Sequence, residues 1–111
     1  MNVGVTDASF SIDRETGPNG AVILLRLSGE FDRAARPALQ RAVLAALAGS
    51  RATDLVVDVA ATTLIDQESV DALLVGYVAA LRHGHGYRVV NPRRRVRRIL
   101  EPAGLLSPGR R

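Results

Sequence analysis

With 111 residues, of which 47% are hydrophobic and 23% charged, the chain has the size and the globular balance of one ordinary domain. The absence of cysteine excludes disulfides, zinc–thiolate sites and thiol catalysis. The formal net charge is +4, all fifteen basic residues are arginine, and the positive charge clusters at residues 93–98 and 110–111.

The N-terminus and the hydropathy of the chain bear on its location. The first residues lack the basic and then apolar order of a secretory signal, and no apolar run approaches the roughly eighteen residues that span a bilayer. We therefore expect a cytoplasmic protein without a membrane segment. We also predict one domain over residues 1–111, with a folded core at about 8–106 and loose ends at 1–7 and 107–111.

Two strands and a helix are predicted first. Phe10 and Ile12 alternate with polar neighbours, as in a half-buried strand, and the turn cluster at 16–20 leads into an apolar arm at 21–28. This arm is apolar enough for a strand covered on both faces. A helix then begins near Pro37, ends near Gly49 and presents one apolar face to the sheet. That face consists of Leu39, Ala42, Val43, Ala46 and Leu47.

Residues 54–81 are the most informative stretch. The β-branched run at 55–59 predicts a buried strand, and after a connection at 60–65 apolar residues recur at helical steps. Asp66 is expected to cap this helix by accepting a hydrogen bond from the N–H of residue 68 or 69, with Ile65 and Val70 as a hydrophobic staple. The predicted apolar face of the helix comprises Val70, Leu73, Leu74, Tyr77, Val78 and Leu81.

The C-terminal third predicts one more strand and one more helix. The strand covers 87–90, and in the pair after it Asn91 is expected to cap the helix while Pro92 takes its first position. The order β-β-α-β-α-β-α predicts an α/β fold with a four-stranded, mostly parallel mixed sheet and about three helices. In the last helix an apolar stripe leaves the arginines on the remaining arc; the stripe is Val96, Ile99, Leu100 and Ala103.

In this order the sequence resembles the STAS family, the anti-sigma-factor antagonists and their relatives. Residues 29–32, Gly-Glu-Phe-Asp, are similar to the family's Gly-Glu-Leu-Asp, and the likeness continues through 55–59, 64–66, 97–100 and 104–105, over about residues 8–106. The resemblance implies a STAS-like domain that is not an enzyme and needs no cofactor. It also implies a partner, an anti-sigma factor that is often a serine kinase, whose capture frees a sigma factor for transcription.

The resemblance further implies where the partner binds. The family continues after Asp66 with Ser-Ser-Gly, and the partner kinase phosphorylates the second serine, whereas this chain has Gln67, Glu68 and Ser69. Glu68 occupies the phospho-acceptor position and cannot become a phosphoserine. Because Glu carries about −1 where phosphoserine carries about −1.5 to −2, it is a partial mimic. Either it holds a phospho-like, non-binding state, or it belongs to a changed contact. The implied partner-binding residues are Asp32, Thr62, Thr63, Asp66, Gln67, Glu68 and Ser69.

Simpler interpretations of the polar residues stay open. Asp66 can be only a helix cap, Asp32 only a capping acid of a loop, and Asp58 only the polar face of a strand. These carboxylates lack the ligand spacing of a Mg²⁺ or Ca²⁺ site, and His83 and His85 have no third ligand in view. No metal is therefore expected.

The arginine run also allows more than one function. It is a solvated helix face, a contact for an acidic protein, or a site for nucleic acid, although it contains no aromatic residue that would stack on bases. The alternative functions are a STAS subunit of a larger signalling or transporter-associated complex, and a small Arg-rich nucleic-acid or nucleotide binder. We expect a monomer or a weak homodimer, since the chain ends soon after its last helix and leaves a sheet edge open.

Overall fold

The computed structural model describes residues 3–6, 9–48 and 52–106. The predicted helix stop at Gly49 and the predicted loose end at 107–111 lie outside these residues. The strands are β1 (Val3–Thr6), β2 (Phe10–Thr16), β3 (Val22–Phe31), β4 (Asp54–Ile65) and β5 (Gly86–Val90). The helices are α1 (Arg36–Leu47), α2 (Gln67–His83) and α3 (Arg94–Leu100), and short 3₁₀ turns cover Pro18–Gly20 and Arg33–Ala35.

The described strands form one mixed sheet in the order β1-β2-β3-β4-β5. The pairs β1–β2 and β2–β3 are antiparallel, and the pairs β3–β4 and β4–β5 are parallel. The predicted order β-β-α-β-α-β-α is confirmed, and the structure adds β1 in front of it. The described part of the predicted loose lead-in is therefore an edge strand, which four residues are too few to reveal as a pattern.

The sheet carries its core on one face. Along β3, Ile23, Leu25 and Leu27 are buried, whereas Arg26 is exposed and forms an ion pair with Glu15 of β2. The prediction that this strand is covered on both faces is therefore wrong. Its apolar run looks continuous because the outward positions 22 and 24 are also apolar, yet they are only half-buried.

Helix α1 packs on this face as predicted. Its predicted core residues are buried, except that Ala42 is half-buried. In α2, by contrast, the predicted apolar face is only partly in the core. Val70 and Leu73 are buried, but Tyr77, Val78 and Leu81 are 37%, 48% and 60% exposed. The spacing of the large apolar residues therefore predicts the buried face of α2 only in part. Small residues also face the core, namely Ser69, Ala72, Gly76 and Ala80.

The contact between α1 and α2 explains this preference for small residues. A Cβ built at Gly76 overlaps Val43 Cγ1 of α1 and lies 2.9 Å from the hydroxyl oxygen of Tyr87. That hydroxyl donates a hydrogen bond to the Leu73 carbonyl oxygen at 2.7 Å. Burial raises the pKa of the Tyr87 phenol well above its usual value. At Gly76 the two helices can approach this closely because the residue has no side chain.

The start of α3 differs from the prediction. The helix begins at Arg94, with Arg93 rather than Asn91 at its N-cap position. Asn91 instead has a left-handed backbone, with φ 63°, and its side-chain amide donates to Asp58 Oδ1 at 3.3 Å. Since asparagine tolerates positive φ, this residue turns the chain between β5 and α3 and does not cap the helix.

The segment after α3 returns to the sheet. Gly104 has φ 77°, Leu105 is buried, and Leu106 forms a parallel bridge with Val89 of β5. Part of the sheet edge that the sequence leaves open is therefore covered. None of the helices in the described ranges combines the length and the hydropathy that a transmembrane span requires.

Candidate functional site

The end of β4 brings the first candidate residues into the sheet. The connection predicted at 60–65 is wrong, because β4 continues to Ile65 and pairs in parallel with residues 28–31 of β3, with two register shifts. The Thr62 hydroxyl is buried and donates to the Leu27 carbonyl oxygen at 2.8 Å. The Thr63 hydroxyl donates to the Gly29 carbonyl oxygen at 3.3 Å, and this residue is exposed. Threonine is β-branched and fits a strand, so Thr62 and Thr63 are the signal in the sequence for this longer strand.

Asp32 lies where β3 leaves the sheet. Its carboxylate accepts a hydrogen bond from the Ala34 N–H at 3.0 Å and so caps the 3₁₀ turn Arg33–Ala35. The residue before it, Phe31, is buried against Phe10, with ring centroids 5.2 Å apart. Phe31 therefore anchors the start of the 3₁₀ turn in the core. Asp32 itself is exposed.

The cap of α2 lies beside this turn. Asp66 Oδ1 accepts a hydrogen bond from the Ser69 N–H at 3.1 Å, so the predicted cap is confirmed. The Asp66 N–H in turn donates to the Phe31 carbonyl oxygen at 3.0 Å. The Ser69 side chain is buried, and its hydroxyl donates to the Asp32 carbonyl oxygen at 3.1 Å. These bonds join the end of β3 to the first turn of α2.

Glu68 projects from the same first turn toward α1. Its carboxylate accepts a hydrogen bond from Arg36 Nη1 at 2.9 Å, and 46% of its side chain is exposed. The same Arg36 nitrogen lies 4.0 Å from Asp71 Oδ2, and the Gln67 side-chain amide donates to Asp71 Oδ1 at 3.4 Å. An acid in a first helical turn is favoured by the helix dipole. No local signal in the sequence predicts Arg36 as the partner of Glu68, because the two residues are 32 positions apart.

The predicted partner-binding residues thus divide by exposure. Asp32, Thr63 and Gln67 are exposed, and Asp66 and Glu68 are half-buried. The two others, Thr62 and Ser69, are buried and bond to backbone carbonyl oxygens. We name the first five residues the docking surface after the role that the sequence predicts for them; the hydroxyls of the two buried residues bond to the backbone beneath it.

The other sequence candidates lie apart from this hydrogen-bonded cluster. The arginines of α3 are exposed, and the guanidinium of Arg93 donates to the Ala60 carbonyl oxygen at 2.8 Å. His83 and His85 have ring centroids 6.0 Å apart. Within the part of the chain that the structure describes, no group of three or more His, Cys, Asp or Glu side chains is placed to hold a metal ion.

Three features define a STAS-type α/β domain: the order of the strands in the sheet, the three helices whose buried residues share one core, and the capped start of α2. A family model described as "Mlab, STAS domain" matches residues 16–106, so the chain belongs to the STAS family, as the sequence resemblance predicts. Among curated proteins, none matches the sequence.

Solved structures agree with this fold. An anti-sigma-factor antagonist from Mycobacterium paratuberculosis is 28% identical; the match covers 87% of this chain and 86% of that protein, with a TM-score of 0.72. Unphosphorylated SpoIIAA, an anti-sigma-factor antagonist, is 19% identical over 85% of this chain and 81% of its own, with a TM-score of 0.74. The phosphorylated form of the Bacillus cell-fate determinant SpoIIAA is 18% identical. The match covers 85% of this chain and 84% of that protein, with a TM-score of 0.69. These last two likenesses show the fold.

Proposed function

We propose that this chain is a non-enzymatic docking module that binds an anti-sigma factor of the serine-kinase type in the cytoplasm and thereby regulates transcription. The family and the likeness to anti-sigma-factor antagonists support this proposal. The observation that carries it is the 3.1 Å hydrogen bond from the Ser69 hydroxyl to the Asp32 carbonyl oxygen. It joins two segments that are distant in sequence into one polar surface.

The hydrogen bonds of this region favour docking over catalysis. Nucleophilic catalysis needs a hydroxyl within hydrogen-bond reach of a base. Here the Ser69 and Thr62 hydroxyls donate to backbone carbonyl oxygens instead. The carboxylates of Asp32 and Asp66 accept backbone N–H groups and so serve as caps. This arrangement supports a rigid face with exposed acidic groups.

Glu68 decides how such a module would be regulated. Its carboxylate is half-exposed and bonds to Arg36, so the pair presents both an acid and a guanidinium to a partner. We favour Glu68 as part of the contact, because a phospho-like lock would need the full charge of a phosphate at the helix start. Regulation then depends on the amount of free partner and not on phosphorylation of this chain.

Binding to purified kinase-type anti-sigma factors of the host, measured by calorimetry, tests the proposal. Glu68→Arg reverses one exposed charge of the docking surface, and Glu101→Arg is the matched control in the turn after α3. We expect wild type and the control to bind alike and Glu68→Arg to bind about tenfold more weakly or worse. If wild type binds none of these factors, or if Glu68→Arg binds as tightly as wild type, the proposal fails.

A second candidate is a STAS subunit of a larger signalling or transporter-associated complex. It is favoured by the family model, whose description names a Mlab STAS domain and no anti-sigma factor. Native mass spectrometry of the complex purified from the host distinguishes the two functions. A stable assembly that contains no anti-sigma factor supports the second candidate.

A further inference from the structure

The outward face of α2 is apolar and unpartnered within the described residues. Val78 is 48% exposed on this face, and Leu81, which is 60% exposed, lies at its margin. Leu74 and Val75 are half-buried beside them, and a shallow groove runs along this side of the helix. A contiguous exposed apolar stripe is typical of an interaction surface.

Charged residues of opposite sign lie at the two ends of this stripe. Asp71 lies toward the N-terminus of α2 and Arg82 toward its C-terminus, and both line the groove. The two residues are eleven positions apart, about 16 Å along the helix axis. Positions 71, 74, 75, 78, 79 and 82 follow three- and four-residue steps, so they share one face of the helix.

The order of residues along this face is complementary to itself. In an antiparallel pair with a two-fold axis between Val75 and Val78, each of these valines meets the other in the second copy. Asp71 meets Arg82, and Leu74 meets Ala79, on both sides of the axis. We propose that the outward face of α2 binds the same face of a second copy of this chain, in antiparallel orientation. Such an isologous contact closes as a dimer and does not propagate.

The existing contacts of the two charged residues leave them available for this pairing. Asp71 is held by one guanidinium nitrogen at 4.0 Å and by the Gln67 amide at 3.4 Å, which are both long contacts. Among the described residues, the ion pairs involve Arg26 and Arg36, and Arg82 is exposed without an acidic partner. The small side chain of Ala79 lets the helix axes approach the 8–10 Å typical of packed helices.

The extent of the face predicts a weak dimer. One pair of helices buries less than the roughly 1,200 Å² of a stable specific interface, so the dimer forms only at high protein concentration. This inference goes beyond the proposed function and does not depend on it, because the purified chain alone is tested.

Charge exchange tests the proposal by sedimentation equilibrium at low salt. Wild type should show a concentration-dependent mass, and Asp71→Arg and Arg82→Asp should each dimerise about tenfold more weakly, because like charges then face each other twice. An equimolar mixture of these two variants should recover the wild-type affinity, since one variant then carries arginine and the other aspartate at both positions, and opposite charges meet at each end of the contact. Glu101→Arg, outside α2, should dimerise like wild type.

Recovery of dimerisation in this mixture would also show that each single variant is folded and lacks only an opposite charge to meet. Val78→Asp, which places a charge at the centre of the stripe, should abolish the dimer with an unchanged circular dichroism spectrum. A wild type that stays monomeric at millimolar concentration overturns the proposal. So does a mixture that stays as monomeric as its components, or single variants that dimerise like wild type.

Discussion

The Ser69 hydroxyl donates a hydrogen bond to the Asp32 carbonyl oxygen at 3.1 Å across 37 positions of sequence. The bond fixes the first turn of α2 against the turn that follows β3. Ser69 is fully buried, so this serine serves the interior of the domain. Glu68 beside it is half-exposed, and under the proposed function it is the acid that a partner would meet.

The first prediction concerns phosphorylation. A kinase-type anti-sigma factor with ATP should leave wild type unmodified, because Ser69 and Thr62 are buried and their hydroxyls are already bonded. Glu68→Ser places a hydroxyl at the half-exposed position and should be phosphorylated, as a positive control. Phosphopeptide mass spectrometry decides, and a phosphate on Ser69, Thr62 or Thr63 of wild type contradicts the account.

The second prediction concerns the stability of this junction. Ser69→Ala removes the donor for the Asp32 carbonyl in a buried place and should lower the free energy of unfolding by about 1–2 kcal/mol. Thr63→Ala also removes a hydroxyl donor, but at an exposed position with a 3.3 Å bond, and should cost less. Urea denaturation measures the free energy of unfolding of both variants. If Ser69→Ala and Thr63→Ala lose the same free energy of unfolding, the buried Ser69 bond has no special role in stability.

The third prediction concerns Gly76. A glycine-to-alanine change inside a helix usually stabilises by about 1 kcal/mol. Here the new methyl group overlaps Val43, so Gly76→Ala should instead destabilise by about 1–3 kcal/mol. Adding Val43→Ala should cost less than the sum of the two single changes, because it makes room for the methyl group. A more stable Gly76→Ala variant in chemical denaturation rules out the close helix contact.

The fourth prediction concerns how the free energy of unfolding depends on pH through Tyr87. Burial raises the pKa of its phenol above the usual 10.0, so the unfolded chain releases this proton at lower pH than the folded one. The free energy of unfolding should therefore fall as pH rises above 10, by up to about 1.4 kcal/mol per pH unit. Tyr87→Phe should lack this component of the slope. Equal slopes for both proteins between pH 9 and 11 would show that the phenol is not buried.

Local signals predict much of this structure. Asp66 caps α2 because cap, first turn and apolar run follow one another directly, and the alternation of Ile23, Leu25 and Leu27 is present in the sequence even where their neighbours mask it. The order of strands and helices follows from such patterns. Asn91 shows their limit, since the same residue type favours an N-cap and a left-handed turn.

The contacts that assemble the docking surface could not be predicted in this way. The ion pair of Arg36 with Glu68 and the bond of Ser69 to Asp32 join residues more than thirty positions apart. They exist only because the parallel pairing of β3 with β4 brings both strand ends to one edge. The close approach of α1 to α2 at Gly76 likewise depends on Val43 of the other helix, which the sequence of α2 alone does not encode.

Mapping the contact by NMR shows directly whether a partner binds where β3 and β4 end and α2 begins. Labelled wild type is titrated with a kinase-type anti-sigma factor, and the amide signals that shift are assigned to the sequence. We expect the largest changes at residues 32–36 and 62–69. Changes confined to the arginines at 93–98, or no changes at saturating partner, would show that the partner does not bind at the docking surface.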